Sequence, residues 1–274
     1  MKKILVPVDF SPASRNAEEY AASLAKAMKA TLLLLRVYRA PAPAPELSVG
    51  SAGTGLAIQE ENEEWIEGEV HFLQEKYGIE VRGMVRTGFK GDTINEVVKE
   101  SEADLVVMGM KEARRHNFPG STVYTSLRKL GKPVLVVPEG VSFKPIRNIV
   151  LAADFTVIRD LSCYDSLFDL VESWEATLQV VHVAGKEAAI KPDELSGKLQ
   201  LQRALSKVTY WYHELDEDRV EESLLRFTES HPADILVMVA HHHNFLERFF
   251  GTLYTRDMSY KAAIPLLVLE DRKG

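Results

Sequence analysis

The chain repeats itself, and the repeat constrains its fold more than any single motif does. Lys3–Ser11, KILVPVDFS, returns as Asn148–Thr156, NIVLAADFT: an apolar run closed by Asp-Phe and a hydroxyl residue. ADLVVMGM, from Ala103, returns as ADILVMVA, from Ala233. GSTVYTS at Gly120 matches GTLYTRD at Gly251, and KPVLVVPE at Lys132 matches IPLLVLED at Ile264. Four matches in one order and at nearly constant spacing mark a tandem duplication. With 274 residues, each copy is the size of an ordinary domain.

The copies differ in length at one place. Arg39–Ala57, RAPAPAPELSVGSAGTGLA, is rich in Pro, Ala, Gly and Ser and reads as a loop; the second copy has a shorter segment there. Pro138–Arg147, PEGVSFKPIR, carries two prolines, a glycine and no periodicity, and so divides the chain into residues 1–140 and 146–274. Within a copy, short apolar runs alternate with helical spacing. Leu5–Val8 is a buried strand, and Ser11-Pro12 supplies an N-cap followed by proline at the first helical position. Ala17, Tyr20, Ala21, Leu24, Ala25 and Met28 then line one helix face. Further strands are expected at Thr31–Tyr38, Glu80–Gly88, Leu105–Met108 and Pro133–Val137. Helices are expected over the acidic stretch from Gln59 to Gly78, after a cap at Asp92, and over Ser121–Leu130. Five strands alternating with helices imply an α/β fold with a parallel sheet covered on both faces.

Composition narrows the function. The net charge is −7, without the basic balance of a general nucleic-acid binder. Cys163 is the single cysteine, so no intrachain disulfide forms. MKKILVPVDF is interrupted by Pro7 and Asp9 too early for a signal peptide. Thr31–Leu35, the most apolar stretch, is far short of the ~20 residues a membrane span needs. A cytoplasmic protein with neither membrane nor nucleic acid as partner is expected.

In an open parallel sheet, ligands bind beyond the carboxyl ends of the strands where strand order reverses. The first and fourth strands end at Asp9 and Gly109, and Gly109 begins GMKEARRHNFPGST. Gly120-Ser121-Thr122 closes that loop at the start of the expected last helix, a position suited to phosphate. The spacing matches none of the common nucleotide motifs.

The duplicated halves, ILVPVDFS, ADLVVMGM and KPVLVVPE together resemble the universal stress protein family over essentially the whole chain, one family domain per half. The resemblance implies a five-stranded sheet of order 3-2-1-4-5 in each half, of the adenine nucleotide alpha hydrolase-like kind. It also implies fifth strands paired between domains, a stress-response role and a homodimer. In ATP-binding members the loop after strand four is Gly-x2-Gly-x9-Gly-(Ser/Thr). Carried over by position, Pro7, Asp9, Val37, Met108, Gly109, Gly120, Ser121 and Thr122 would hold ATP or AMP, with Mg accompanying the nucleotide. Two departures bear on this. Glu112 replaces the second glycine, and seven residues, 113 to 119, precede Gly120 instead of nine. The second half keeps Asp154 and Gly251-Thr252 but has Val239 in place of Gly109 and AHHHNFLERFF in place of the loop. No nucleotide is expected there.

Other residues have plainer readings. Asp9 serves equally as a turn carboxylate. His241, His242 and His243 are adjacent rather than at metal-ligand spacing, although His182, His213 and His231 could approach them. The acidic helix reads as a solvated face, and Cys163 as a small, partly buried residue. With no Walker A, G-x-S-x-G or dinucleotide fingerprint, the chain is not expected to be an enzyme. Three readings stand: a nucleotide-binding regulator, an interaction scaffold without nucleotide, and a nucleotide-hydrolysing enzyme.

Overall fold

The computed structural model describes residues 1–39, 51–111, 130–155, 161–184, 192–216, 220–240 and 264–270. The first half runs β1 (Lys3–Val8), α1 (Pro12–Met28), β2 (Thr31–Tyr38), α2 (Ser51–Tyr77), β3 (Val81–Thr87), α3 (Lys90–Ser101), β4 (Leu105–Met110) and β5 (Val134–Pro138). The second runs β6 (Asn148–Ala153), a 3-10 turn (Leu161–Tyr164), α4 (Asp165–Trp174), β7 (Thr177–Ala184), α5 (Pro192–Leu205), β8 (Tyr210–Asp216), α6 (Val220–Ser230), β9 (Ile235–Ala240) and β10 (Leu266–Glu270).

Each half has the strand order 3-2-1-4-5, and all pairs within a half are parallel. The expected two sheets are joined into one of ten strands. β5 and β10 pair antiparallel, with Val136 opposite Leu266, Leu135 opposite Leu267 and Val134 opposite Val268. The residues on both strands are almost wholly apolar, so pairing them covers two edges that could otherwise recruit other chains.

The strands read as continuous apolar runs because both faces are covered. One face packs under α1, α2, α4 and α5, the other under α3 and α6, and each core crosses from one half to the other. Between the halves, the ring of Phe143 lies 5.3 Å from Tyr20 of α1 and 5.7 Å from Trp174 of α4.

Capping explains where α1 begins. Ser11 is extended, its Oγ accepts the Ser14 N–H at 3.2 Å, and Pro12 needs no donor partner in the first turn. Two boundaries differ from expectation. α2 begins at Ser51, within the segment read as loop, because extending a long helix costs less than starting one. α3 begins at Lys90 with Phe89 in the cap position, so Asp92 lies in the first turn and is not the cap. Gly88, at φ +150°, sets that entry, and a Cβ on it would strike Thr93 Oγ1. The expected helix at Ser121–Leu130 falls almost entirely outside the described residues.

Candidate functional site

The site begins with a missing donor. Lys2 gives its carbonyl to Thr31 of β2 and Lys3 gives its carbonyl to Asp104, beside β4. Even-numbered residues of β1 therefore bond toward β2 and odd-numbered ones toward β4. Pro7 is odd-numbered and has no N–H. β1 remains paired with β2 as far as Val8–Arg36, but pairs with β4 only at Ile4–Leu105 and Leu5–Val106. Beyond Leu5 the β1–β4 ladder stops, leaving an opening in the hydrogen bonding at the point where strand order reverses.

The second half is built alike except at this position. Asn148 gives its carbonyl to Asp234, so Ala152, the counterpart of Pro7, presents its N–H toward β9. There β6 and β9 stay paired from Ile149–Ile235 through Ala152–Met238. The ladder that stops at Leu5 in the first half runs two residues further in the second.

Around the opening, Val37 and Met108 are buried on the α3 side of the sheet, and alternation from Leu5 places Pro7 on the same face. Asp9 follows the strand tip. Its Oδ1 accepts the Ser11 N–H at 3.3 Å and its Oδ2 accepts from Lys90 Nζ at 3.1 Å. Burial works against ionisation of Asp9, but the bonds from Ser11 and Lys90 outweigh it and hold the carboxyl below its ordinary range. Asp9 thus has one oxygen in the turn and the other in an ion pair whose partners are both partly open to solvent.

Gly109 lies on the opposite face, beneath the first turn of α1. A Cβ there would collide with the Ala13 carbonyl oxygen. Glycine is therefore required by packing, whatever the crevice holds. Gly120, Ser121 and Thr122, together with Glu112, Arg114 and Arg115, lie outside the described residues, as do His241, His242, His243, Gly251 and Thr252.

Several residues not named as site residues from the sequence gather at the strand tip. Phe10, at φ +52°, is 55% exposed; its ring lies 4.4 Å from Trp65 and 4.0 Å from the Arg36 guanidinium. Arg36 is held by Asn62 Oδ1 at 2.7 Å and donates to the Val8 carbonyl at 3.4 Å. The second half repeats the plan with other residues. Phe155, at φ +56° and 5% exposed, stacks on His182 at 3.8 Å, and His182 Nδ1 is 2.8 Å from the Ala153 carbonyl. The repeat of Asp-Phe was the available signal for this pair. Lys90 had none, since its role depends on how α3 enters.

His213 and His231 lie 5.4 Å apart between ring centres, whereas His182 is engaged by Phe155. Among the described residues no group of three or more His, Cys, Asp or Glu side chains could hold a metal ion. Among them, too, no helix is long and apolar enough to cross a membrane.

Comparison with known proteins gives a consistent picture. Residues 1–138 match the universal stress protein family. A universal stress protein of Synechocystis sp. is 26% identical, the alignment spanning 97% of this chain and 99% of that protein. One of Methanocaldococcus jannaschii is 28% identical over 50% of this chain and 81% of its own length. The crystal structure of a universal stress protein from Archaeoglobus fulgidus superposes with a TM-score of 0.72 at 16% identity, covering 98% of each chain.

Proposed function

Because the chain belongs to the universal stress protein family, we propose that it is a cytoplasmic stress-response regulator binding one adenine nucleotide, ATP or AMP, in its first half. Residues 1–140 and 146–274 are taken as its two universal stress domains. The observation that carries this reading is the early end of the β1–β4 ladder after Leu5, set against the longer β6–β9 pairing of the second half. Pro7, Val37 and Met108 would border the base. Asp9, freed from Lys90, would accept from a ribose hydroxyl, and Lys90 would turn to the phosphates. Gly109, Gly120, Ser121 and Thr122 would form the phosphate side, with Mg accompanying the nucleotide. The second half would hold none. Binding rather than turnover is the proposed activity.

One observation favours a scaffold without nucleotide: Gly109 is already required by its contact with Ala13, so its presence is no sign of a phosphate. The two readings separate cleanly. Purified protein is denatured and any released nucleotide identified, and the protein is then titrated with ATP and AMP by calorimetry. Release of an adenine nucleotide, or binding that Asp9→Ala abolishes, supports the regulator. Neither release nor binding at millimolar nucleotide supports the scaffold.

A further inference from the structure

A carboxylic acid is buried directly behind the strand tip. Glu18 of α1 is 2% exposed, in a helix stripe otherwise made of Ala17, Tyr20, Ala21, Leu24 and Ala25. Its Oε1 accepts from Ser14 Oγ at 2.9 Å, and that same Oγ accepts the Asp9 N–H at 3.0 Å. Its Oε2 has no hydrogen-bond partner among the described residues. A buried carboxylate oxygen without a partner is costly.

We propose that Glu18 is a positioning residue of the first-half crevice: acting through Ser14 on the Asp9 amide, it ties the placement of Asp9 to its own protonation and takes up a proton when an anion occupies the crevice. This rests on the nucleotide reading only for its second part. The three groups form one chain, so a change of charge on Glu18 alters how strongly Ser14 donates to it and accepts from Asp9. The charges around Glu18 are few. Asp9 and Glu69 of α2 oppose its ionisation, and Arg15, paired with Glu69 at 2.6 Å, favours it. β2 contributes Arg36 on the same side, held by Asn62, and the segments of β4 and β5 that α1 covers are apolar. Burial above all, and then these acids, push the Glu18 carboxyl up to about 7. A phosphate arriving beside Asp9 adds negative charge and raises its proton affinity further.

Two measurements decide the matter, and the first needs no ligand. In amide spectra of the whole protein, the Asp9 N–H resonance is followed from pH 5.5 to 8.5. It should titrate near pH 7 in the wild type and be flat in Glu18→Gln, which keeps an acceptor for Ser14 but cannot ionise. An Asp9 amide that titrates equally in both proteins, or in neither, overturns the proposal. If Glu18→Gln does not fold, Glu18→Leu serves as the non-ionising variant for the same comparison.

The second measurement is ATP affinity at pH 6 and pH 8 in wild type and Glu18→Gln, where the difference between proteins cancels the titration of ATP itself. If bound phosphate raises the proton affinity of Glu18 by about one pH unit, the wild type gains about fivefold more than the variant on going from pH 8 to pH 6. Equal gains overturn the proton uptake. Absence of ATP binding by the wild type at both pH values overturns the nucleotide reading and the uptake with it, while the amide titration still decides the coupling of Glu18 to Asp9.

Discussion

Single residues here answer to packing before they answer to ligands. Gly109 was legible as a strand-end glycine, but the sequence could not reveal that the Ala13 carbonyl occupies the space of its side chain. Gly109→Ala should therefore lower stability by roughly 2 kcal/mol or more, measured by urea denaturation without any nucleotide. A variant as stable as the wild type would mean that the first turn of α1 yields easily. Glu18 makes a second prediction. Its carboxyl, ordinarily near 4.5, rises to about 7 on folding. The folded state therefore holds this proton more tightly than the unfolded chain. The stability it confers is complete below pH 4.5, declines as pH rises, and is gone above pH 7. The total is at most about 3 kcal/mol. Relative to Glu18→Gln, the wild type should lose stability between pH 5 and pH 8, and parallel pH profiles would contradict this. Asp9 could be singled out from its place at the tip of the first strand, and Pro7 only from the family resemblance. Glu18 could not, because an acid among helical alanines reads as a solvated position until burial is known.

At the scale of elements, most of the fold was written in the sequence: short apolar runs marked the strands, and Ser11-Pro12 marked the start of α1. What escaped were boundaries set by neighbours. α2 reaches back to Ser51 through glycines that disfavour helix, and the turn at Gly88 moves the start of α3 ahead of Asp92. The β1–β4 opening also depends on register, since Pro7 matters only because odd-numbered residues of β1 face β4. Pro7→Ala restores a donor there. The regained hydrogen bond and the freer unfolded chain oppose each other, so stability should move by less than about 1 kcal/mol. ATP affinity should nonetheless fall by about tenfold, a loss of roughly 1.4 kcal/mol. Calorimetry and a urea melt on the same sample check both. A variant that binds as the wild type does would show that the opening is not where the nucleotide sits.

The whole molecule is two copies of one plan joined at their fifth strands. The duplication was legible from four pairs of segments. The family resemblance implied that the fifth strands pair, and β5 and β10 do join the halves into a single sheet of ten strands; the antiparallel register of that join was not legible, because each reads simply as an apolar strand. With both cores crossing the join, heating should unfold the chain in one cooperative transition, with calorimetric and van't Hoff enthalpies in agreement. Two resolved transitions would instead mark halves that are stable separately. The copies have also diverged, with Pro7 ending the β1–β4 ladder early while Ala152 lets the β6–β9 ladder run on. The most direct test is therefore the stoichiometry of ATP binding to the intact chain by calorimetry. The account predicts one nucleotide per chain, lost in Asp9→Ala and retained in Asp154→Ala; two per chain, none, or loss through Asp154 alone would contradict it.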